Sequence, residues 1–130
     1  MSESYATVIN CIDGKIQIPV ISYIIENFGV DYVDNITEPG AVKYLNRDNE
    51  DSSTRVKMYS LKKRVEESLN THGSKLIIIT AHAGCVYNPV SKTQQIIQLN
   101  EAEETIASWK KKCETAVLWI DENNFINDII

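Results

Sequence analysis

The sequence has little that would bind a polyanion or enter a membrane. It carries 13 Lys and Arg residues against 18 Asp and Glu residues, which gives a net charge of −5. An acidic chain without a basic run is a poor partner for nucleic acid or for an anionic membrane. No apolar stretch approaches the roughly 20 residues that a membrane-spanning helix needs. We therefore expect neither nucleic acid nor a membrane as a partner.

The first residues also lack the features that direct secretion. Residues 1–10, MSESYATVIN, contain no basic start followed by a long apolar core, as a signal peptide would. We therefore expect a cytoplasmic location. Cysteine is scarce as well, with Cys11, Cys85 and Cys113 in the whole chain. Because a reducing compartment disfavours a disulfide framework, these thiols are predicted to be core residues, metal ligands or reactive groups.

What the sequence does contain is a regular alternation of secondary-structure signals. Four β-prone segments alternate with segments of helical periodicity, with no internal repeat and no linker. Such alternation predicts a parallel sheet that is covered by helices on both faces. We expect one domain over residues 1–130, a three-layer α/β/α structure around a central, mainly parallel four-stranded sheet. If the first strand lies between the second and the third, the strand order is 2-1-3-4.

The predicted elements have these bounds. Strands are expected at residues 5–11, 31–36, 76–80 and 115–120. The first helix is expected to begin at Pro19, where a missing N–H is harmless, and a second to span 54–71 with Gly73 as its cap. A third helix is expected to follow an N-cap at Ser91 and to end in the basic run 110–112, as the helix dipole favours. The polar stretch 46–53 is predicted to be an exposed loop.

Metal-binding side chains follow two of the predicted strands. Cys11 ends the first strand, and His82 and Cys85 follow the third. Because neighbouring parallel strands end at the same edge of a sheet, these side chains are expected in one crevice. Two thiolates and an imidazole make a Cys₂His zinc site with an open fourth position, which is typical of catalytic zinc. Asp13 is close enough to reach that position, and Lys15 is the nearest cation that could orient Asp13.

The two motifs together resemble those of the β-class carbonic anhydrases. In that family Cys-x-Asp-x-Arg follows the first strand and His-x-x-Cys follows the third. The corresponding residues here are CIDGK at 11–15 and HAGC at 82–85. The similarity extends over about residues 6–121. Either motif alone would be weak, but the pair is fairly specific.

The resemblance implies a cofactor and a reaction. It implies Zn²⁺ held by Cys11, His82 and Cys85, with Asp13 accepting a hydrogen bond from zinc-bound hydroxide and Lys15 steadying Asp13. The implied activity is that of a lyase that catalyses the reversible hydration of CO₂ to bicarbonate. Because members of the family are dimers or assemblies of dimers, a homodimer or such an assembly is implied here.

The chain departs from the family pattern on the substrate side of the pocket. Lys15 replaces an arginine and lacks the planar fork that pairs with a carboxylate through two hydrogen bonds. Val86 and Tyr87 replace a small glycine-rich turn, and TEPG at 37–40 replaces an Asn-Ala-Gly element. Two alternatives therefore stay open. The site acts on another small heterocumulene such as CS₂ or COS, or the protein is non-catalytic and Asp13 is the fourth zinc ligand.

Three further residues with reactive side chains have ordinary interpretations. Cys113 lies at the opposite end of its strand and is expected to be structural. His72, beside Gly73, is expected to be a solvated helix-capping residue. For Glu38 two interpretations stay open, a residue that lines the pocket or an exposed turn residue.

Overall fold

A computed structural model of the chain describes residues 3–128. The five strands are β1 (Tyr5–Asn10), β2 (Tyr32–Thr37), β3 (Leu76–His82), β4 (Glu114–Ile120) and β5 (Ile126–Asp128). The three α-helices are α1 (Gly14–Phe28), α2 (Ser52–His72) and α3 (Lys92–Ser108). A 3₁₀ helix, Ala41–Tyr44, follows β2. Within the described range, no helix has both the length and the apolar composition to cross a bilayer.

The strands form one sheet in the order β2-β1-β3-β4-β5. The first four strands are parallel, and β5 runs antiparallel to β4. The predicted α/β fold and the order 2-1-3-4 are confirmed, with one strand more than expected. β5 has only three residues, too few to show a periodicity, and it forms because a turn at Asn124 brings Ile126 opposite Ile120.

Helices cover both faces of the sheet. The sequence of β3 is apolar throughout because its side chains are buried on both faces. Ile77 and Ile79 pack in the core beneath α2 and α3, whereas Ile78 packs in the core beneath α1. All three side chains are fully buried. A strand in the middle of a parallel sheet needs apolar residues on both faces, as this run provides.

Helix α1 begins earlier than predicted, which corrects the expected start at Pro19. Asp13 is the N-cap, and its carboxylate accepts the backbone N–H of Lys15 at 3.0 Å. Pro19 lies inside the helix, where it removes one backbone hydrogen bond. The helix continues through Pro19 because Val20 and Ile24 beyond it are fully buried against the sheet.

The other two helices agree with the prediction at two of their four ends, and α2 begins two residues earlier than expected. Gly73 caps α2 with a φ of 68°, and the side chain of Ser91 caps α3 by accepting the N–H of Gln94. The expected end of α3 at residues 110–112 is wrong, because α3 stops at Ser108. Lys110 has a φ of 56°, a left-handed conformation that a right-handed helix cannot include. The basic run therefore belongs to the turn that leads into β4.

The polar stretch 46–53 is a loop as far as residue 51, as predicted, and α2 already includes residues 52 and 53. Asp51 is the N-cap of α2, and its carboxylate accepts the backbone N–H of Thr54 at 3.2 Å. The loop thus ends where a side-chain acceptor satisfies the first free N–H groups of the helix.

Candidate metal centre

Three metal-binding side chains meet at the carboxyl end of the sheet. Cys11 directly follows β1, His82 is the last residue of β3, and Cys85 lies in the turn after it. Their ligand atoms lie within 4.8 Å of one another, and all three residues are buried. β1 and β3 are neighbours in the sheet, so the topology inferred from the sequence is what brings these residues together.

The distance between the two sulfurs fits a tetrahedral metal ion, and so does the nitrogen of His82, which is unpaired within residues 3–128. The Sγ atoms of Cys11 and Cys85 are 3.7 Å apart, and two zinc–sulfur bonds of about 2.3 Å at a tetrahedral angle span about 3.8 Å. Nε2 of His82 is buried and has no hydrogen-bond partner among the described residues. Because buried polar atoms are nearly always paired, this nitrogen is available to a metal ion.

The cluster borders a cavity that is large enough for one ion. The cavity has a volume of about 10 Å³, roughly what one water molecule requires. Besides the three ligands, it is lined by Gly40, Ala41, Val42, Thr80, Ala81, Asn88 and Gln95. The arrangement therefore offers two sulfurs, one nitrogen and room for a single small species beside them.

The two thiols have different acidities. Burial raises the pKa of Cys11, but the nearby His82 side chain and the backbone N–H groups of Gly40 and Asp13 favour the thiolate, outweigh burial and lower this pKa from 9.0 to about 7. Burial raises the pKa of Cys85, and the charge of Cys11 raises it further. Cys11 is therefore the first of the two to supply a thiolate to an arriving cation.

Gln95 on α3 positions His82, and the sequence interpretation missed it. Its Nε2–H group donates to the carbonyl oxygen of His82 at 2.9 Å, and its Oε1 accepts the indole N–H of Trp119 at 2.8 Å. Gln95 is almost completely buried. A glutamine in a predicted helix ordinarily indicates a surface position, so only the tertiary structure reveals this role.

Asp13 and Lys15 lie beside the ligand cluster rather than within it. The carboxylate of Asp13 caps α1, and Nζ of Lys15 is 4.0 Å from Oδ2 of Asp13 with the lysine side chain mostly exposed. Gln17 holds the same turn, since its Nε2 donates to the carbonyl oxygens of Cys11 and Asp13 at 2.8 and 2.7 Å. The catalytic roles of Asp13 and Lys15 stay predictions.

Glu38 has neither of the roles that the sequence left open. Its carboxylate binds Lys57 at 3.0 Å and Arg64 at 3.3 Å, and its side chain is only 13% exposed. It does not border the small cavity. Both interpretations are therefore wrong, because two long cationic side chains of α2 cover the glutamate. The two ion pairs anchor the chain after β2.

His72 and Cys113 lie far from the ligand cluster. Nδ1 of His72 is 2.7 Å from Oδ2 of Asp34, and the ring stacks on Tyr5 with centroids 4.2 Å apart. His72 is exposed at the end of α2, as predicted, and β1 and β2 in addition present partners to its ring. Cys113 is half-buried before β4, and burial raises its pKa, as suits a structural thiol.

Comparisons with known proteins support the interpretation of these motifs. The sequence model of the family described as "Putative carbonic anhydrase" matches residues 1–130. The chain belongs to this family. A search of the curated proteins found no match.

This carbonic anhydrase family member also has the fold of solved β-carbonic anhydrases. CafA of Aspergillus fumigatus is 12% identical with a TM-score of 0.56, over 98% of this chain and 76% of CafA. CafD of the same fungus is 14% identical with a TM-score of 0.52, over 99% of this chain and 90% of CafD. The resemblance to the β-class carbonic anhydrases is thereby confirmed.

The fold also occurs in an acetyltransferase. The periplasmic domain of the Salmonella ser. Paratyphi A lipopolysaccharide acetyltransferase is 16% identical with a TM-score of 0.53. The match covers 92% of this chain and 45% of that one. At such identities a structural match shows the fold alone, because one fold can carry different active sites.

Proposed function

We propose that the protein is a zinc-dependent carbonic anhydrase that catalyses the reversible hydration of CO₂ to bicarbonate. The observation that carries the proposal is the convergence of Cys11, His82 and Cys85 on a buried cavity for one ion. Two sulfurs and one nitrogen are a donor set that suits zinc, and three protein ligands leave a fourth position open. Membership in the carbonic anhydrase family supports the class of reaction.

In this proposal the residues around the site have distinct roles. Cys11, His82 and Cys85 bind the metal, and Zn²⁺ supplies Lewis acidity that lowers the pKa of a water ligand to about 7. Asp13 provides a hydrogen-bond acceptor beside the open position, and Lys15, whose Nζ lies 4.0 Å from Oδ2 of Asp13, steadies Asp13. Gln17 fixes the turn that carries Cys11 and Asp13. Asp13 thus lies on a turn that the side chain of Gln17 holds through hydrogen bonds to backbone carbonyl oxygens.

The apolar walls beside the ligands suit a small uncharged substrate, which enters only if the cavity widens beyond its volume of about 10 Å³. Ala41, Val42 and Ala81 contribute apolar walls, and they are almost fully buried. Such walls exclude bulk water and strengthen the electrostatic interactions inside the site. A small molecule without hydrogen-bond donors, such as CO₂, meets no cost of desolvating a polar group there.

The non-catalytic alternative has less support. It requires the Asp13 carboxylate to be the fourth ligand, yet that carboxylate accepts the N–H of Lys15 and caps α1. Asp13 is also not part of the cluster of ligand atoms. We therefore favour an open fourth position over a closed one.

A stopped-flow hydration assay on zinc-loaded protein between about pH 7 and 9 tests the proposal. We expect Cys85→Ser to lose both zinc and activity, because one of three ligands is gone. Asp13→Asn is expected to keep one zinc per chain and to lower the hydration rate about 10–100-fold. Cys113→Ser, outside the site, is the matched control and should keep zinc and activity.

Two results would contradict the proposal. One is a parent protein that holds one zinc per chain but hydrates no CO₂, and the other is a freshly purified protein that contains no metal. Hydrolysis of COS and CS₂ is measured in parallel. If either compound is converted faster than CO₂, that compound is the substrate.

We further propose that residues 1–130 form a single zinc domain, which is cytoplasmic and assembles as a homodimer or as an assembly of dimers. β2 and β5 are the outermost strands of the sheet. The outer edge of a sheet carries backbone groups that can pair with a second chain. The dependence of unfolding on protein concentration tests the assembly, and microscopy of the labelled protein in cells tests the location.

A further inference from the structure

We propose that Lys43 is a positioning residue that fastens the cover of the candidate metal site. The cover consists of two segments, residues 40–44 and residues 85–88. The first contributes Gly40, Ala41 and Val42 to the wall of the small cavity, and the second contributes Cys85 and Asn88. This inference rests on the proposed function, since it assigns the cover the control of access to the metal site.

Lys43 joins the two segments of the cover directly. Its Nζ donates to the carbonyl oxygen of Tyr87 at 2.6 Å. Gly40 packs against the same carbonyl so closely that a Cβ atom there would lie 2.8 Å from the oxygen of Tyr87. The N–H of Gly40 in turn donates to Sγ of Cys11 at 3.5 Å. By holding Tyr87, Lys43 therefore keeps the Gly40 N–H on the thiol of Cys11.

A second fastening lies beside the first. The side-chain amides of Asn88 and Gln98 donate to each other, at 2.7 and 3.3 Å. Lys43 and Gln98 both line a polar cavity of about 500 Å³ on the outer side, whereas Asn88 lines the small cavity around the ligands. The Asn88–Gln98 contact thus joins the lining of the metal site to the lining of the larger polar cavity, which Lys43 also lines.

The volume of the small cavity indicates that its cover opens to admit a substrate. The small cavity of about 10 Å³ holds one ion or one water, and a substrate molecule in addition does not fit. The base of the first segment is anchored, because Arg64 binds the carbonyl oxygen of Thr37 and the carboxylate of Glu38. The Lys43 contact is exposed, so water can replace it at little cost. The hydrogen bond from Lys43 to Tyr87 is therefore the first of these contacts to break when the cover opens.

Thiol accessibility in the metal-free protein tests this role without any activity. A small alkylating reagent is applied, and peptide mass spectrometry follows modification at Cys11 and Cys85. We expect Lys43→Met, which keeps the aliphatic stem, to speed this modification about fivefold, the effect of losing one partly exposed hydrogen bond. Lys43→Arg keeps a donor and should stay close to the parent rate.

Lys111→Met is the matched control. Nζ of Lys111 donates to Glu66 at the same distance, 2.6 Å, but this pair lies away from the metal site. The control should therefore leave the modification rate unchanged. Equal rates in Lys43→Met and the parent, an equal rise in Lys111→Met, or no rescue by Lys43→Arg would each overturn the proposal.

Metal retention provides a second measurement. With zinc-loaded protein and excess chelator, Lys43→Met is expected to release zinc about fivefold faster than the parent, and Lys111→Met at the parental rate. An unchanged release rate in Lys43→Met would contradict the proposal. If the parent binds no zinc, the proposed function fails, whereas the modification rates still decide the role of Lys43.

Discussion

At the scale of single residues, the two thiols of the site differ in their pKa values. Cys11 and Cys85 are equally buried, yet their pKa values move in opposite directions. Both thiols receive backbone N–H groups, so these groups do not separate them. The difference arises because the His82 side chain favours the thiolate of Cys11, whereas the charge of Cys11 opposes a second thiolate at Cys85. Hydrogen bonds to the charged form favour ionisation, whereas burial alone disfavours it.

The ionisation of Cys11 predicts a pH dependence for the metal-free protein. Its pKa is about 7 in the folded state against an ordinary 9.0, so the folded protein binds fewer protons between these values. Stability is therefore expected to rise from pH 7 to pH 9. This contribution is complete above the unfolded pKa and is lost as the pH falls through about 7. Denaturant unfolding with chelator present measures the rise.

The controls for this prediction are two cysteine variants. Cys11→Ser should remove most of the rise in stability between pH 7 and pH 9. Cys113→Ser should preserve it, because burial raises the pKa of Cys113 and places its titration above this window. A rise of equal size in Cys11→Ser would show that another group causes it.

At the scale of elements, the turn between β2 and the 3₁₀ helix matters most. Gly40 has a φ of 63° and touches the backbone of Tyr87, so it meets two requirements that a side chain cannot meet. A residue with a Cβ is strained in the left-handed region. Here it would also push the two segments of the cover apart.

A pair of glycine variants tests this geometry. Gly40→Ala is expected to lower the free energy of unfolding by more than about 1 kcal/mol, because both strain and the clash with Tyr87 oppose it. Gly14→Ala is the matched control, since a Cβ at Gly14 meets no atom within 4 Å. It should be neutral or stabilising by up to about 1 kcal/mol. Chemical denaturation measures both, and equal effects would contradict the prediction.

At the scale of the whole molecule, two cores share one sheet. Leu61 of α2 packs in the core on one face, and Ile24 of α1 packs in the core on the other. Both side chains are fully buried. Because β1, β3 and β4 contribute residues to both cores, loss of either core exposes the same strands.

The shared sheet predicts one cooperative unfolding transition. Leu61→Ala and Ile24→Ala should each lower the free energy of that transition by about 2–5 kcal/mol. Fluorescence of Trp109 and Trp119 and the helix circular dichroism signal should change together. If the protein is a homodimer, the midpoint rises with protein concentration. Separate transitions would contradict the single domain, and a constant midpoint would contradict the dimer.

The architecture and the candidate ligands follow from patterns within the sequence. The apolar side chains of β3 are buried only if both faces of the sheet are covered. The alternation of strands with helices predicts that the strands are parallel. Parallel neighbours end at one edge, so Cys11, His82 and Cys85 had to meet once β1 and β3 were adjacent. The strands and the candidate ligands depend on periodicity and spacing, which the chain alone provides, whereas the structure confirms that β1 and β3 are adjacent.

How the site is held and covered depends on contacts that form in the folded protein. Gln95, Lys43 and the ion pairs of Glu38 act on partners that lie far away in the sequence, and no local pattern encodes such contacts. The same holds for β5, whose three residues form a strand only against β4. A polar side chain in a sequence has many possible partners, and packing selects the one that it contacts.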